Sequence, residues 1–207
     1  MGLRQRVLAA VAGQLGRPHG LLGRGVALLL NRGNREAVAG AVDAAHAAPG
    51  KTLADIGFGG GLGLDLFLQR VGPQDTVYGV EIAEDMLARA RARFADRVEL
   101  VHGSLTALPL DDKSLDAAIS VNTVYFVSDL AAACAELARV LRPGGRAVLG
   151  VGDPEAMARL PVTAYGFTLR PIDEIIAALK KAGFADVEHR RLDGVAIPHY
   201  LLVAVAG

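Results

Sequence analysis

The sequence predicts an α/β chain: a doubly wound, mainly parallel seven-stranded sheet with an antiparallel edge strand, preceded by amino-terminal helices. Three observations carry this. From residue 52 onward, short apolar runs of β type alternate with longer stretches of helical periodicity, and parallel neighbours need crossovers that helices supply. A glycine-rich turn, with glycines at 57, 59, 60, 61 and 63, follows the first run directly. The last two runs have a loop but no helix between them, so they pair antiparallel at an edge.

Taken in order, helices are expected over residues 3–15, 21–30 and 35–47, the last ended by Pro49-Gly50. Leu3, Val7, Val11 and Leu15 form the apolar stripe of the first. Residues 52–56 form a strand and 62–71 a helix; 77–81 follow as a strand and 83–94 as a helix. Strands at 98–102, 117–121 and 147–151 come next, and between the last two, Leu130, Cys134, Leu137 and Leu141 make a helical stripe. Pro171 suits the first turn of a helix with Ile172, Ile175, Ile176 and Leu179 on its apolar face, and Gly183 suits its cap. Strands at 184–192 and 200–205 complete seven.

At 207 residues, 52% hydrophobic and 21% charged, the chain is expected to be one globular domain with ample core. Residues 1–48 would form a helical lid or cap and 49–207 the α/β core. Net charge is zero, which gives no argument for nucleic acid or membrane binding. Charge is uneven, however: Arg4, Arg6, Arg17, Arg24, Arg32 and Arg35 all precede the first acid, Glu36. One cysteine, Cys134, rules out an intramolecular disulfide, argues against a metal-thiolate site and points to a reducing cytoplasm. The thiol reads as structural. The run 21–30 is too short to span a bilayer and is broken by Arg24.

The chemistry concentrates in Leu53 to Gly63, L-A-D-I-G-F-G-G-G-L-G. Glycines admit close backbone approach, and the N–H groups opening the next helix favour an anion, whereas the adjacent Asp55 asks for a cation. A dinucleotide pyrophosphate is a poor match. The G-x-G-x-x-G spacing also fails, since Leu62 or Leu64 occupies the third position. Glu81 stands 26 residues after Asp55 at the end of the second strand, suitably placed for a ribose hydroxyl pair.

Asp55, Gly57, Gly59 and Gly61 match acid-x-Gly-x-Gly-x-Gly, and here the chain resembles the class I S-adenosylmethionine-dependent methyltransferases, with their Rossmann-like fold. The zwitterionic amino-acid end of that cofactor satisfies both the acid and the N–H groups. Val98 to Leu108 is similar to the family's adenine-contacting segment, Asp116 to Phe126 to its fourth strand and functional loop, and Leu137 to Gly150 to its helix, Pro-Gly-Gly turn and fifth strand. Ser104 stands where the family often has Asp, so adenine recognition is weaker here or rests on backbone groups. The resemblance implies cofactor contacts from Asp55, Gly57, Phe58, Gly59, Gly61, Glu81, Ile82, Ser104, Leu105 and Asn122. No metal is implied.

Transfer of a sulfonium methyl is an in-line displacement that depends mainly on alignment. Where the acceptor must lose a proton, Tyr125 is the first candidate base, ahead of His19, Tyr165 and His199. The expected acceptor is a small molecule. A phosphate or carboxylate on it would suit the basic amino-terminal segment, whose Gly-rich turns suit the hinges of a lid. Missing aromatic interleaving speaks against single-stranded nucleic acid. An RNA or protein methyltransferase, and a cofactor-binding module without transfer activity, are the alternatives.

Overall fold

The structure, a computed structural model, describes residues 2–16, 33–193 and 197–207. The expected helix at 21–30 lies outside them, as do His19, Arg17, Arg24 and Arg32. Helices α1 (Leu3–Gly16) and α2 (Arg35–Ala44) lead into β1 (Leu53–Ile56), α3 (Leu62–Leu68), β2 (Val77–Glu81), α4 (Glu84–Phe94) and β3 (Glu99–His102). Then come β4 (Leu115–Val121), α5 (Leu130–Val140), β5 (Leu141–Gly152), α6 (Pro154–Ala158), α7 (Ile172–Lys181), β6 (Phe184–Leu192) and β7 (His199–Ala206).

The strands form one sheet in the order β3-β2-β1-β4-β5-β7-β6. The first five run parallel, and β7 runs against both β5 and β6. All four residues of β1 are buried, as a central strand covered on both faces requires. Its side chains alternate between two cores. Leu53 packs in a cluster with Phe67 and Leu87, from α3 and α4; Ala54 and Ile56 join Cys134, Leu137, Ile175 and Leu179, from α5 and α7. The sheet is therefore doubly wound. Cys134 is buried, and burial pushes its thiol up to about 11, which leaves it inert.

Strand order reverses between β1 and β4, and the carboxyl ends of these neighbours open the crevice where ligands bind such sheets. The outer edge strand β6 alternates Glu188, His189, Arg190 and Arg191, a charged pattern that discourages pairing with another chain.

Four local expectations change. Within the expected stripe of α1, Val7 and Val11 are 54% and 40% exposed, while Ala12, off that stripe, is buried. Small residues let the helix lie close on its support, and the β-branched pair is left outside. Residues 141–146 extend β5 instead of forming a separate turn, and the register with β4 shifts between Leu115 and Ala117 to absorb Pro143, Gly144 and Gly145. Leu141 thereby opens a strand and does not close the helical stripe. Pro171 caps α7 in an extended conformation (φ −55°, ψ 144°), its carbonyl accepting from Glu174 and Ile175 at 3.1 and 3.4 Å. Helix α6 has no apolar repeat long enough to read; Asp153 caps it by accepting the Ala156 N–H at 2.9 Å.

Candidate cofactor and acceptor site

Strand β1 ends by delivering Asp55 into the crevice, and the chain then turns through Gly57, Gly59 and Gly61 at φ +75°, +51° and +78°. Side chains at these angles are strained. Two glycines are required for space as well. A Cβ at Gly57 would overlap the Thr123 hydroxyl, and one at Gly63 would overlap the Asp55 carboxylate.

Glu81, at the end of β2, organises the same turn. Its Oε2 accepts from the Gly59 N–H at 3.0 Å, and its Oε1 from Ile82 and Ala83 at 2.9 and 3.0 Å. These bonds fix the carboxylate yet leave part of its roughly four acceptor positions open. Asp55 differs. Among the described residues no hydrogen bond reaches its carboxylate, and burial, reinforced by the Glu81 charge, pushes it up to about 8. A cation placed against it would restore the ionised form.

Asp55 and Glu81 stand at one end of a cavity of about 920 Å³, a volume ample for a nucleoside-sized ligand together with an acceptor. Its wall includes Asp55, Gly57, Phe58, Gly59, Glu81, Ile82, Ser104, Leu105, Asn122 and Tyr125. Gly61 is the expected contact that does not reach the wall: it caps α3 in the left-handed region and faces Phe94, its N–H donating to Phe58 O at 2.8 Å. The Ser104 hydroxyl turns inward on its own loop, 3.0 Å from the Thr106 hydroxyl.

Beyond Asn122 the cavity changes character. Ala9, Ala12 and Leu15 of α1, with Met157, Leu160 and Phe167, bring an apolar lining that the sequence reading missed. No periodic signal marks it, because these residues come from α1 and from the segment 157–167, which is not one regular element. Among the described residues no lysine or arginine lines the cavity. Arg4 and Arg6 are exposed on α1.

A hydrogen-bonded chain crosses the floor. The Tyr125 hydroxyl accepts from the Gly152 N–H and donates to Asn122 Oδ1 at 3.2 Å. Asn122, at φ +59°, stands 3.2 Å from His199 Nε2 through both Nδ2 and Oδ1. His199 Nδ1 lies 2.7 Å from Ile197 O, which can only accept, so Nδ1 carries the proton and neutral Nε2 accepts from the amide. Burial lowers the His199 pKa and raises that of Tyr125 well beyond the usual phenol range. Tyr125 is therefore a committed, protonated phenol and a poor base at neutral pH. Tyr165 also lines the cavity.

The loop that carries Asn122, Tyr125 and Phe126 is held from behind by Arg170. This buried guanidinium donates to Val124 O at 3.0 Å, Val127 O at 2.7 Å and Ser128 O at 3.3 Å. Nothing in the sequence near residue 170 signals that role.

Comparison with known proteins agrees with this geometry. The methyltransferase-domain family matches residues 54–149. A demethylmenaquinone methyltransferase of Roseiflexus castenholzii is 33% identical over 194 residues, covering 78% of each chain. An arsenite methyltransferase of Halobacterium salinarum is 32% identical over 154 residues, or 68% of this chain. The chain spans little more than a third of some curated relatives, 39% of the arsenite enzyme and 34% of another. In fold it is similar to the Haloferax volcanii methyltransferase in complex with the Trm112 activator, with a TM-score of 0.76 at 21% identity over 88% of this chain and 94% of that one. The chain belongs to the class I S-adenosylmethionine-dependent methyltransferases. Its cofactor is S-adenosylmethionine, and the site fits it: a buried acid with no partner among the described residues for the ammonium, a second acid with acceptor capacity for the ribose, and a glycine turn that a Cβ would block.

Proposed function

We propose that the chain transfers a methyl group from S-adenosylmethionine to a small-molecule acceptor by in-line displacement. The observation that carries this is one cavity with two carboxylates on the ends of β1 and β2 and, among the described residues, an otherwise mostly apolar wall without lysine or arginine. When bound, the cofactor supplies an activated sulfonium methyl. Asp55 takes its ammonium and Glu81 its ribose hydroxyls. Gly57, Phe58, Gly59 and Ile82 shape the channel between them, while Ser104, Leu105 and Asn122 border the remainder of the cofactor. Gly61 contributes by setting the turn. Tyr125 holds Asn122 in place and keeps its own proton.

Residues 1–48 act as a cap on the core formed by 49–207. Support comes from α1, whose Ala9, Ala12 and Leu15 belong to the wall of the same cavity as Asp55 and Glu81. Among the described residues no helix is long and apolar enough to cross a membrane. The test is acceptor-dependent formation of S-adenosylhomocysteine, with acceptor pools screened for the mass gain of one methyl group. Tight cofactor binding without turnover on any pool would favour a binding module. Salt-sensitive RNA affinity with RNA turnover would favour a polymer substrate.

A further inference from the structure

We propose that the acceptor is a largely apolar molecule bearing one acidic hydroxyl, and that His199 takes the proton of that hydroxyl. This rests on the methyl-transfer reading above and specifies its second substrate.

The chamber selects the body of the acceptor. Phe126 and Phe167 stand 4.7 Å apart between ring centroids at 58°, and Tyr125 lies 5.7 Å from Phe167 at 38°. All three rings line the cavity, and Leu160 and Ile197 continue the apolar wall. Such a surface favours a flat aromatic or alkyl-substituted body. Among the described residues it offers no cation to a phosphate, and the charged residues of the wall, Asp55 and Glu81, stand on the ends of β1 and β2, on the other side of β4 and β5 from His199.

The floor selects the reacting group. His199 is 4% exposed at the start of β7, and its ring is neutral in the tautomer fixed by Ile197 O. Asn122 stands equally near Nε2 through both amide atoms. Its Nδ2 donates to the neutral ring, and its Oδ1 accepts once Nε2 is protonated. The acceptor hydroxyl therefore reaches Nε2 by displacing the Nδ2 hydrogen bond, which occupies the one lone pair of the neutral ring. The ionisable groups on elements packed around His199 are Tyr125, which stays a phenol, and Asp153, whose carboxylate is 3.6 Å from Arg191 on β6. In the reaction the hydroxyl proton passes to Nε2 and later to water. The acceptor oxygen forms a bond to the methyl carbon as its bond to sulfur breaks, leaving a thioether and a methyl ether.

The test uses the full chain saturated with S-adenosylhomocysteine for binding and with S-adenosylmethionine for turnover. The probes are alkyl-substituted phenols, aliphatic amines and phosphate monoesters. Calorimetry should show binding of the phenols alone, and wild-type kcat should fall tenfold per pH unit below a pKa under the usual histidine value. His199→Gln should leave the Kd for phenol near wild type, lower kcat by about 10²- to 10⁴-fold and abolish the acid limb. The wild-type pH profile stands whether or not that variant folds. Phenols that fail to bind the loaded protein overturn the proposal, with or without turnover. Turnover of amines or phosphate esters with an unchanged profile overturns it too, yet leaves methyl transfer intact.

Discussion

At the scale of single residues, the two acids of the cofactor end have opposite settings. Glu81 is held by three backbone N–H groups, whereas Asp55 is buried against it with its pKa pushed up to about 8. Cofactor binding should therefore release a proton near neutrality, and the affinity for S-adenosylhomocysteine should fall as pH drops below about 8. Titrations in buffers of different ionisation enthalpy measure this directly. The sign for stability is the reverse. A folded pKa raised from 3.8 makes the apo protein most stable below that value and progressively less so up to about 8, a trend absent in Asp55→Asn. Gly63→Ala should push Asp55 aside, at a cost of about 1–3 kcal/mol for overpacking, and weaken cofactor binding in a protein that still folds. Asp55 and Glu81 were legible in sequence because each ends an apolar strand, and a chain of alternating strands and helices gathers such ends on one side. The part played by Gly61 was not. Contact glycines and conformational glycines share the same spacing, and only the left-handed cap facing Phe94 separates them.

At the scale of elements, the loop after β4 is the part of the site with the least periodic signal and the most dependence on a distant residue. Arg170 donates to three of its carbonyls from a buried position. Arg170→Met should destabilise the fold by about 2–4 kcal/mol, since bonds to a charged group contribute roughly 1.5–3 kcal/mol each and the abandoned carbonyls stay buried. Urea unfolding checks the loss, and a ΔΔG below about 0.5 kcal/mol would show that the loop holds its shape unaided. The strands were read closely because apolar runs between glycines and prolines have few other uses, and β2 falls at the expected residues. In α1 the two valines of the expected stripe face outward. Valines at i, i+4 spacing mark a stripe but do not say where it points, and alanines at 9 and 12 carry too little hydrophobicity to outvote them.

At the scale of the whole molecule, cofactor-site residues on the strand ends share one cavity with wall residues of α1. Deleting residues 1–30 should abolish methyl transfer while preserving most of the cofactor affinity, since Asp55 and Glu81 belong to the core. A truncated chain that still turns over at the full rate would reduce α1 to packing. The mainly parallel, doubly wound sheet was legible from alternation; the chamber was not, because it forms only where α1, the loop after β4 and the segment 157–167 converge. The claim on which all of this depends is that Asp55 and Glu81 hold S-adenosylmethionine. Calorimetric titration of S-adenosylhomocysteine into wild type and Glu81→Ala tests it most directly. Loss of a charged hydrogen bond worth about 1.5–3 kcal/mol predicts a 10- to 150-fold rise in Kd, roughly, in a variant that keeps the wild-type fold by circular dichroism. An unchanged Kd in that folded variant would contradict the assignment.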